Sequence, residues 1–407
     1  MQDIEVFSKL LGLEEPWRVK EVRMDMECQR VTVVVDCGQG PWKDSQGVVL
    51  AIHGYEERQW RHLDTMQFET VISARVPRVR HGNGRTEMIA VPWAAARSRW
   101  TLMFEALAVR MMQNSRSLSQ ASEVLRLDWS SVQRIMERAV ERGMERRKTD
   151  KVCHLGLDEK SFGRGHSYIS TLVDINREAP RVLEVSAGRD TQAAKELLVS
   201  LPKKQRRQIK AVAMDMSAAY EAAVRKHLPN ADVVHDRFHV SKLLGEAVDK
   251  VRRGENKELL RVGDKRLVGT RYIWLYHPKE LDASRLATLN ELFEVEHLRT
   301  ARAYYHRIRF LDFWRQPDMA EAARFFARWY HEAQRSNLEP IIKTAKTLKN
   351  HLMGLLTYFR HKITNALCEG FNATIQSIKA NARGFRNFHH YRFRVLFFLG
   401  KLDLLPR

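Results

Sequence analysis

The sequence predicts a mixed α/β protein with a β-rich start and a large helical block, and three observations carry that prediction. Three strand-like runs follow one another as a meander: "KVCHLGLD" (151–158), "SYISTLVDI" (167–175) and "RVLEVSAG" (181–188). Helix and strand then alternate through "TQAAKELLVSL" (191–201), "IKAVAMD" (209–215), "AAYEAAVRKHL" (218–228) and "ADVVHD" (231–236). A meander followed by alternation is the pattern of one mixed sheet covered by helices. Residues from about 238 to 362 give no convincing strand and are rich in Lys, Arg and Trp.

The elements before that sheet read differently. Residues 1–95 are β-rich, with "RVTVVVD" (30–36) and "FETVISARV" (68–76) as β-branched runs among Gly, Asn and Asp turn signals. "TLMFEALAVRMM" (101–112) places apolar residues all round a helix, which suits burial. "SLSQASEVLRLDWSSVQRIMERAVERG" then gives a helix at about 119–127, a turn at Asp128–Trp129 and a second helix capped by Ser130. Val132, Ile135, Met136 and Ala139 share one face of that second helix, and Gln133, Arg134, Glu137 and Arg138 are left facing outward. A helix-turn-helix would set this second helix in a DNA major groove. An ordinary helical hairpin has the same spacing, and the turn carries Asp where Gly is often found.

Composition narrows the class. At 407 residues the chain exceeds one simple core, so two or three domains are expected, and a hydrophobic content of 44% excludes wholesale disorder. No run of about 18 apolar residues occurs, so no membrane span is expected. The start, "MQDIEVFSKL", lacks a signal-peptide core, which points to a cytoplasmic protein. Cys28, Cys37, Cys153 and Cys368 are too few and too scattered for a disulfide framework. Sixty-nine Lys and Arg against 49 Asp and Glu give +20, a balance that suits a nucleic-acid partner because phosphate contacts release counterions.

The chemistry is suggested by carboxylates. Asp158 and Asp215 each close a near-continuous apolar run, as central strands covered on both faces would show. Ligands gather at such a sheet rim. Either Asp alone reads as a strand-end turn or helix cap; converging, the two would repel, and a divalent cation would resolve the repulsion. Glu369 lies on a later helix, in one polar stripe with Asn372, Gln376 and Lys379, while Ala366, Leu367, Phe371, Ile375 and Ile378 supply packing. A solvated face explains that stripe unless the helix crosses the sheet edge. Hard oxygen ligands with open positions suit Mg²⁺ or Mn²⁺ and phosphodiester chemistry.

At these residues the chain resembles the DDE transposases of bacterial insertion sequences, of the ISL3 family. The likeness rests on "LDEKSFGRGHSY" with Asp158, "VAMDMSAAY" with Asp215, "DRFHV" (236–240), "TRYIWL" (270–275) and "TNALCEGFNATIQSIKANARGFRN" with Glu369, all in order. It implies an RNase H-like catalytic core (149–237 and 363–407) interrupted by an all-helical insertion (238–362). A helix-turn-helix domain (96–148) would precede the core, and a β-rich domain resembling a zinc ribbon (1–95) would come first.

The resemblance implies a catalytic and metal-binding triad of Asp158, Asp215 and Glu369, with Mg²⁺ as cofactor or Mn²⁺ in its place. Asp158 would be shared by two ions, with Asp215 on one and Glu369 on the other. Asp236, His239 and Asn372 are expected to support that site; Asp236 and His239 also read as a strand-to-helix cap with a satisfied histidine. Gln133, Arg134, Arg138, Lys379, Arg383 and Arg386 are the candidate DNA contacts. The implied partners are terminal inverted repeats and target DNA, bound by a homodimer or larger assembly at the bacterial nucleoid.

The N-terminus departs from the family. "WRHLD" (60–64) and "VPRV" (76–79) are present, but "PWKDSQGVVL" before them has no Cys, and no C-x-x-C occurs anywhere. Tetrahedral zinc needs four ligands, so the ribbon is expected to have kept its scaffold and lost its metal; no zinc is expected. A catalytically silent DNA-binding regulator derived from a transposase would share the charge and the helix-turn-helix. A nuclease that cuts without joining is a third reading.

Overall fold

A computed structural model describes residues 3–407 apart from 39–41, 44–46, 83, 116, 149–151, 164–166, 177, 383 and 386. The described residues fold as two compact units. The first comprises the chain up to Arg147 together with 381–384 and 402–407; the second comprises 148–380 and 385–401.

In the first unit, α1 (Asp3–Leu11) precedes β1 (Trp17–Asp25), β2 (Arg30–Cys37), β3 (Ala51–Arg61), β4 (Glu69–Arg80) and β5 (Thr86–Met88). The sheet order is β1-β2-β4-β3 with β5 also on β4, and only the β2–β4 pair is parallel. Val31, Val33 and Val35 are buried while Thr32 and Val34 are half-covered, the period-two pattern of a sheet with one inner face. That face packs on Trp17, Trp60 and Trp93; the Trp93 ring meets the other two edge-on, at 4.9 and 5.5 Å between centroids.

Three helices complete this unit: α2 (Leu102–Asn114), α3 (Leu118–Leu125) and α4 (Trp129–Glu145). The expectation that α2 is apolar all round is corrected, because Met103 and Leu107 are exposed and Glu105 is fully buried. Glu105 accepts from Ser98 Oγ at 2.9 Å and pairs with Arg142 at 3.2 Å and Arg138 at 3.4 Å, which ties α2 to α4. The second cap is also corrected. Asp128, not Ser130, starts α4, its Oδ1 accepting from the Ser131 amide at 2.9 Å.

Val132, Ile135, Met136 and Ala139 are all buried on α4. Gln133 does not face outward: it is buried, and its amide donates to Glu137 at 2.9 Å. The segment 402–407 packs on the same helix. Leu404 O accepts from Arg142 at 2.9 Å, Leu405 O accepts from Arg146 at 2.7 Å, and a Cβ at Gly143 would stand 2.7 Å from that of Leu402.

The second unit is built on β6 (His154–Ser161), β7 (Tyr168–Asp174), β8 (Arg181–Ala187), β9 (Ala211–Met214) and β10 (Asp232–His235). Their order is β10-β9-β6-β7-β8: β6, β7 and β8 are antiparallel neighbours, while β9 and β10 run parallel to β6. Between the strands come α5 (Thr191–Val199), the short α6 (Lys203–Arg206) and α7 (Ala218–His227). Leu197, Leu198, Tyr220, Ala223 and Val224 from α5 and α7 share one core with Leu155, Leu157 and Val212.

A helical block follows: α8 (Arg237–Arg261), α9 (Ala283–Phe293), α10 (Arg299–Phe310), α11 (Met319–Gln334), α12 (Glu339–Asn350), α13 (Leu352–Leu356) and α14 (Tyr358–His361). It has its own core around Trp274, Tyr304, Phe310, Phe313 and Trp329. Then α15 (Ala366–Asn381) and α16 (Phe388–Leu399) return to the sheet. Gly156 on β6 admits α15, since a Cβ there would overlap Cys368 Sγ.

Candidate active site

Strand register places the carboxylates along one rim of the sheet, although among the described residues no three of them bring ligand atoms within 4.8 Å of one another. β9 pairs with β6 through His154↔Ala211, Leu155↔Val212 and Gly156↔Ala213, and β10 pairs with β9 up to His235↔Met214. Continuing both ladders sets Asp158, Asp215 and Asp236 level on three adjacent parallel strands. Residues level in parallel strands point to the same face. Asp158 does not close its strand, as the sequence suggested: β6 runs on to Ser161 against β7, and Asp158 stands two residues beyond the last pair with β9.

Asp158 is 8% exposed. Its Oδ1 accepts from the Glu159 amide at 2.9 Å, and its Oδ2 accepts from Asn372 Nδ2 at 2.7 Å. Burial lifts its carboxyl to about 6; the Glu159 amide and His239 oppose that, and the charges of Asp215 and Glu369 add to it. Asp215 is half-buried, its Oδ1 accepting from the Ser217 amide at 3.1 Å. Asp236 is 3% exposed with its Oδ2 lacking a hydrogen-bond partner, and burial raises its carboxyl too.

Helix α15 turns a face toward this row that the sequence did not single out. Cys368, Asn372 and Ile375 are its buried residues, whereas Ala366 is exposed and Leu367, Phe371 and Ile378 are half-covered. Asn372 therefore leaves the solvated stripe and becomes the donor to Asp158. Gln376 Nε2 donates to Ser161 O at 2.9 Å, which keeps the helix along β6. Glu369 is exposed at the margin of that face. Desolvation raises its carboxyl, the charge of Asp236 adds, and His239 and Lys160 oppose.

His239, one turn into α8, favours the ionised forms of Asp158, Asp236 and Glu369 alike. The buried Cys368 thiol is driven well up, by desolvation first and then by Asp158, Asp236 and Glu369, so it packs as a neutral group. Asp158, Asp215 and Asp236, with one orphaned buried oxygen on Asp236, offer the hard oxygen ligands that divalent metal takes.

The remaining candidates are placed as follows. Arg134 is exposed on α4, near Ser130 O and Ser131 Oγ at 3.3 Å each, while Arg138 spends its guanidinium on Glu105. Lys379 is half-buried in the last turn of α15. Arg383 and Arg386 lie outside the described residues.

Comparison with known families decides what this arrangement belongs to. Residues 155–395, more than half of the chain, match the ISL3 DDE family described as transposase. Residues 89–140 match the helix-turn-helix domain of transposase family ISL3. The chain belongs to the ISL3 family of DDE transposases. It is 28% identical to the transposase for insertion sequence element IS1001 of Bordetella parapertussis, over 84% of this chain and 85% of that protein. The transposase for insertion sequence element IS1557 of Mycobacterium tuberculosis is 24% identical over 95% of this chain and 93% of its own length. Membership in this family implies use of divalent metal and DNA binding through the helix-turn-helix. No helix among the described residues is long and apolar enough to cross a membrane.

A third match, residues 46–80, is described as the zinc-finger of transposase IS204/IS1001/IS1096/IS1165. In this transposase the matched segment is held by side chains without thiols. His62 is buried with Nδ1 at 3.0 Å from Thr101 Oγ1, and burial drives its imidazole down to about 4, with Arg61 adding. Cys28 lies in the β1–β2 turn and Cys37 at the far end of β2, about 20 Å away along an extended strand, too far to share one ion. Burial and Asp36 push the Cys37 thiol up to about 11.

Proposed function

We propose that this transposase cuts DNA at the ends of an insertion sequence and joins those ends to target DNA, with Asp158, Asp215 and Glu369 as its catalytic metal ligands. The observation that carries the reading is the register that brings Asp158 and Asp215 level, with Asn372 from the Glu369 helix bonded to Asp158. The β10-β9-β6-β7-β8 order, antiparallel on one side of β6 and parallel on the other, supports an RNase H-like core in 149–237 and 363–407. The helical stretch at 238–362 is then an insertion into that core, and residues 1–95 and 96–148 are the ribbon-like and helix-turn-helix domains.

Mg²⁺ or Mn²⁺ bound at the carboxylates would supply Lewis-acid activation of water or a 3′-hydroxyl and stabilise the departing 3′-oxygen. Asn372 orients Asp158 by holding Oδ2. Asp236 offers a further buried oxygen beside the row, and His239 balances its charge. Arg134 contacts phosphate near the terminal repeats, and Lys379 does so near the active site. The ribbon works without zinc, and the protein acts at the nucleoid as a dimer or larger assembly when two DNA ends are bound.

The test is incubation with labelled DNA carrying the flanking inverted repeats, in Mg²⁺ or EDTA, comparing the wild type with Asp215→Asn. Metal-dependent nicking at the repeat boundary and joined products, both lost in Asp215→Asn, are expected. Specific binding without cleavage in Mg²⁺ and Mn²⁺ alike would assign the protein to regulation, and cleavage without joining would make it a nuclease.

A further inference from the structure

We infer that Glu221, His235 and His351 form a second metal site, one that takes a single zinc ion and is distinct from the carboxylate row. One ligand atom from each lies within 4.8 Å of the others, and no other group of three such residues does so among the described residues. A triangle of that size has its centre about 2.8 Å from each corner, so side-chain rotations of under about 1 Å reach zinc distances. Two imidazoles and one carboxylate are borderline donors that suit zinc, unlike the all-oxygen carboxylate row. Three protein ligands leave a fourth position for water.

Each ligand is already oriented. His235, the last residue of β10, is buried and lies with Nδ1 3.2 Å from Asp215 O. A carbonyl only accepts, so Nδ1 carries the proton and the Nε2 lone pair is left for an ion, the arrangement typical of a metal-bound histidine. Gly354 makes room for this ring: a Cβ there would overlap Cδ2 and stand 2.7 Å from Nε2. Glu221 on α7 has Oε1 held by Arg225, through Nε at 3.0 Å and Nη2 at 2.6 Å. Its Oε2 lies 3.6 Å from His351 Nδ1, beyond hydrogen-bonding distance. The His351 ring stands perpendicular to that of His235, with centroids 5.0 Å apart.

The three ligands come from α7, from β10 and from the junction of α12 and α13, so an ion here pins the end of the helical block to the sheet. Through His235 it also fixes the carbonyl of Asp215. The ion would cross-link these elements while its fourth position stays open to water, and the site does not depend on Asp215 being catalytic.

The test is titration of metal-stripped full-length protein with Zn²⁺ alone, followed by Co²⁺ spectroscopy. One equivalent is expected in the wild type, in Asp158→Asn and in Cys37→Ser. His351→Ala and Glu221→Gln should each weaken binding by at least about 100-fold and abolish the rise in unfolding temperature that Zn²⁺ gives the wild type. Co²⁺ should show tetrahedral bands without thiolate charge transfer. Glu221→Gln, nearly isosteric, decides the matter if His351→Ala does not fold. Absence of zinc binding, equal affinity in all five proteins, or loss confined to Cys37→Ser would each overturn the inference.

Discussion

The two five-stranded sheets of this transposase solve different problems. The first is mostly antiparallel, buries one face on Trp17, Trp60 and Trp93, and leaves the charged side chains of β3 exposed along much of their length. The second sandwiches β6, β9 and β10 so fully that β9 shows no half-covered residue. A strand buried on both faces has nowhere to carry a charge except where its neighbour ends. The consequence is chemical: polar groups disperse over the first sheet and converge at one rim of the second.

Substitutions can break that contrast. Asp158→Asn should lower metal-dependent cleavage by at least about 10³-fold, the loss of several kcal/mol of metal-supported transition-state stabilisation, while gel-shift binding to specific DNA persists. Trp93→Ala should do the reverse, costing about 3–5 kcal/mol of stability through the cavity it leaves, read by denaturant unfolding together with loss of DNA binding.

A smaller effect distinguishes the sheets by pH. The Asp158 carboxyl is raised from 3.8 to about 6 in the folded chain, so its burial destabilises the native state above pH 6. That destabilisation fades as pH falls through 6 toward 3.8. In EDTA, Asp158→Asn should therefore be more stable than the wild type at pH 7, by up to about 3 kcal/mol, with the difference shrinking toward pH 4. A constant difference across that range would mean that the row is not electrostatically strained.

Asn372→Ala removes the donor to Asp158 Oδ2 and should cost about 10–100-fold in cleavage or metal affinity, with Asn372→Asp no better because it adds another negative charge. The smallest effect belongs to the first unit. Arg134→Ala should weaken DNA binding uniformly and lower the salt slope by about 1, as the loss of one phosphate contact would, measured by anisotropy over a salt series.

The same contrast explains what the sequence made legible. All five strands of the second sheet were readable because double burial writes near-continuous apolar runs such as "IKAVAMD". In the first sheet only β2 and β4 stood out. β1 and β3 are interrupted by register shifts, at Val19/Glu21 and at Ile52/Gly54, and carry charges on exposed faces, so neither keeps a clean alternation.

Asp158 and Asp215 were legible as a pair because parallel strands preserve level. Asn372 was legible as a supporting residue through the family resemblance, but its spacing alone gave only a polar stripe, because nothing local says that Gly156 opens a gap for its helix. Gln133 failed for a related reason: helical spacing gives a face, but the partner across that face decides how wide the buried sector is. The Glu221, His235 and His351 group had no sequence signal at all, being assembled from three elements far apart in the chain.

The segment 402–407 bears on the order in which the first unit can be completed. Arg142 and Arg146 on α4 find their carbonyl acceptors, Leu404 and Leu405, in residues that leave the ribosome only after the entire second unit has been made. The helix expected to read DNA is thus completed after the machinery expected to cut it. A chain that stops after α4 but before residue 402 would leave Arg142 with Glu105 alone, Arg146 without its Leu405 acceptor and Gly143 uncovered.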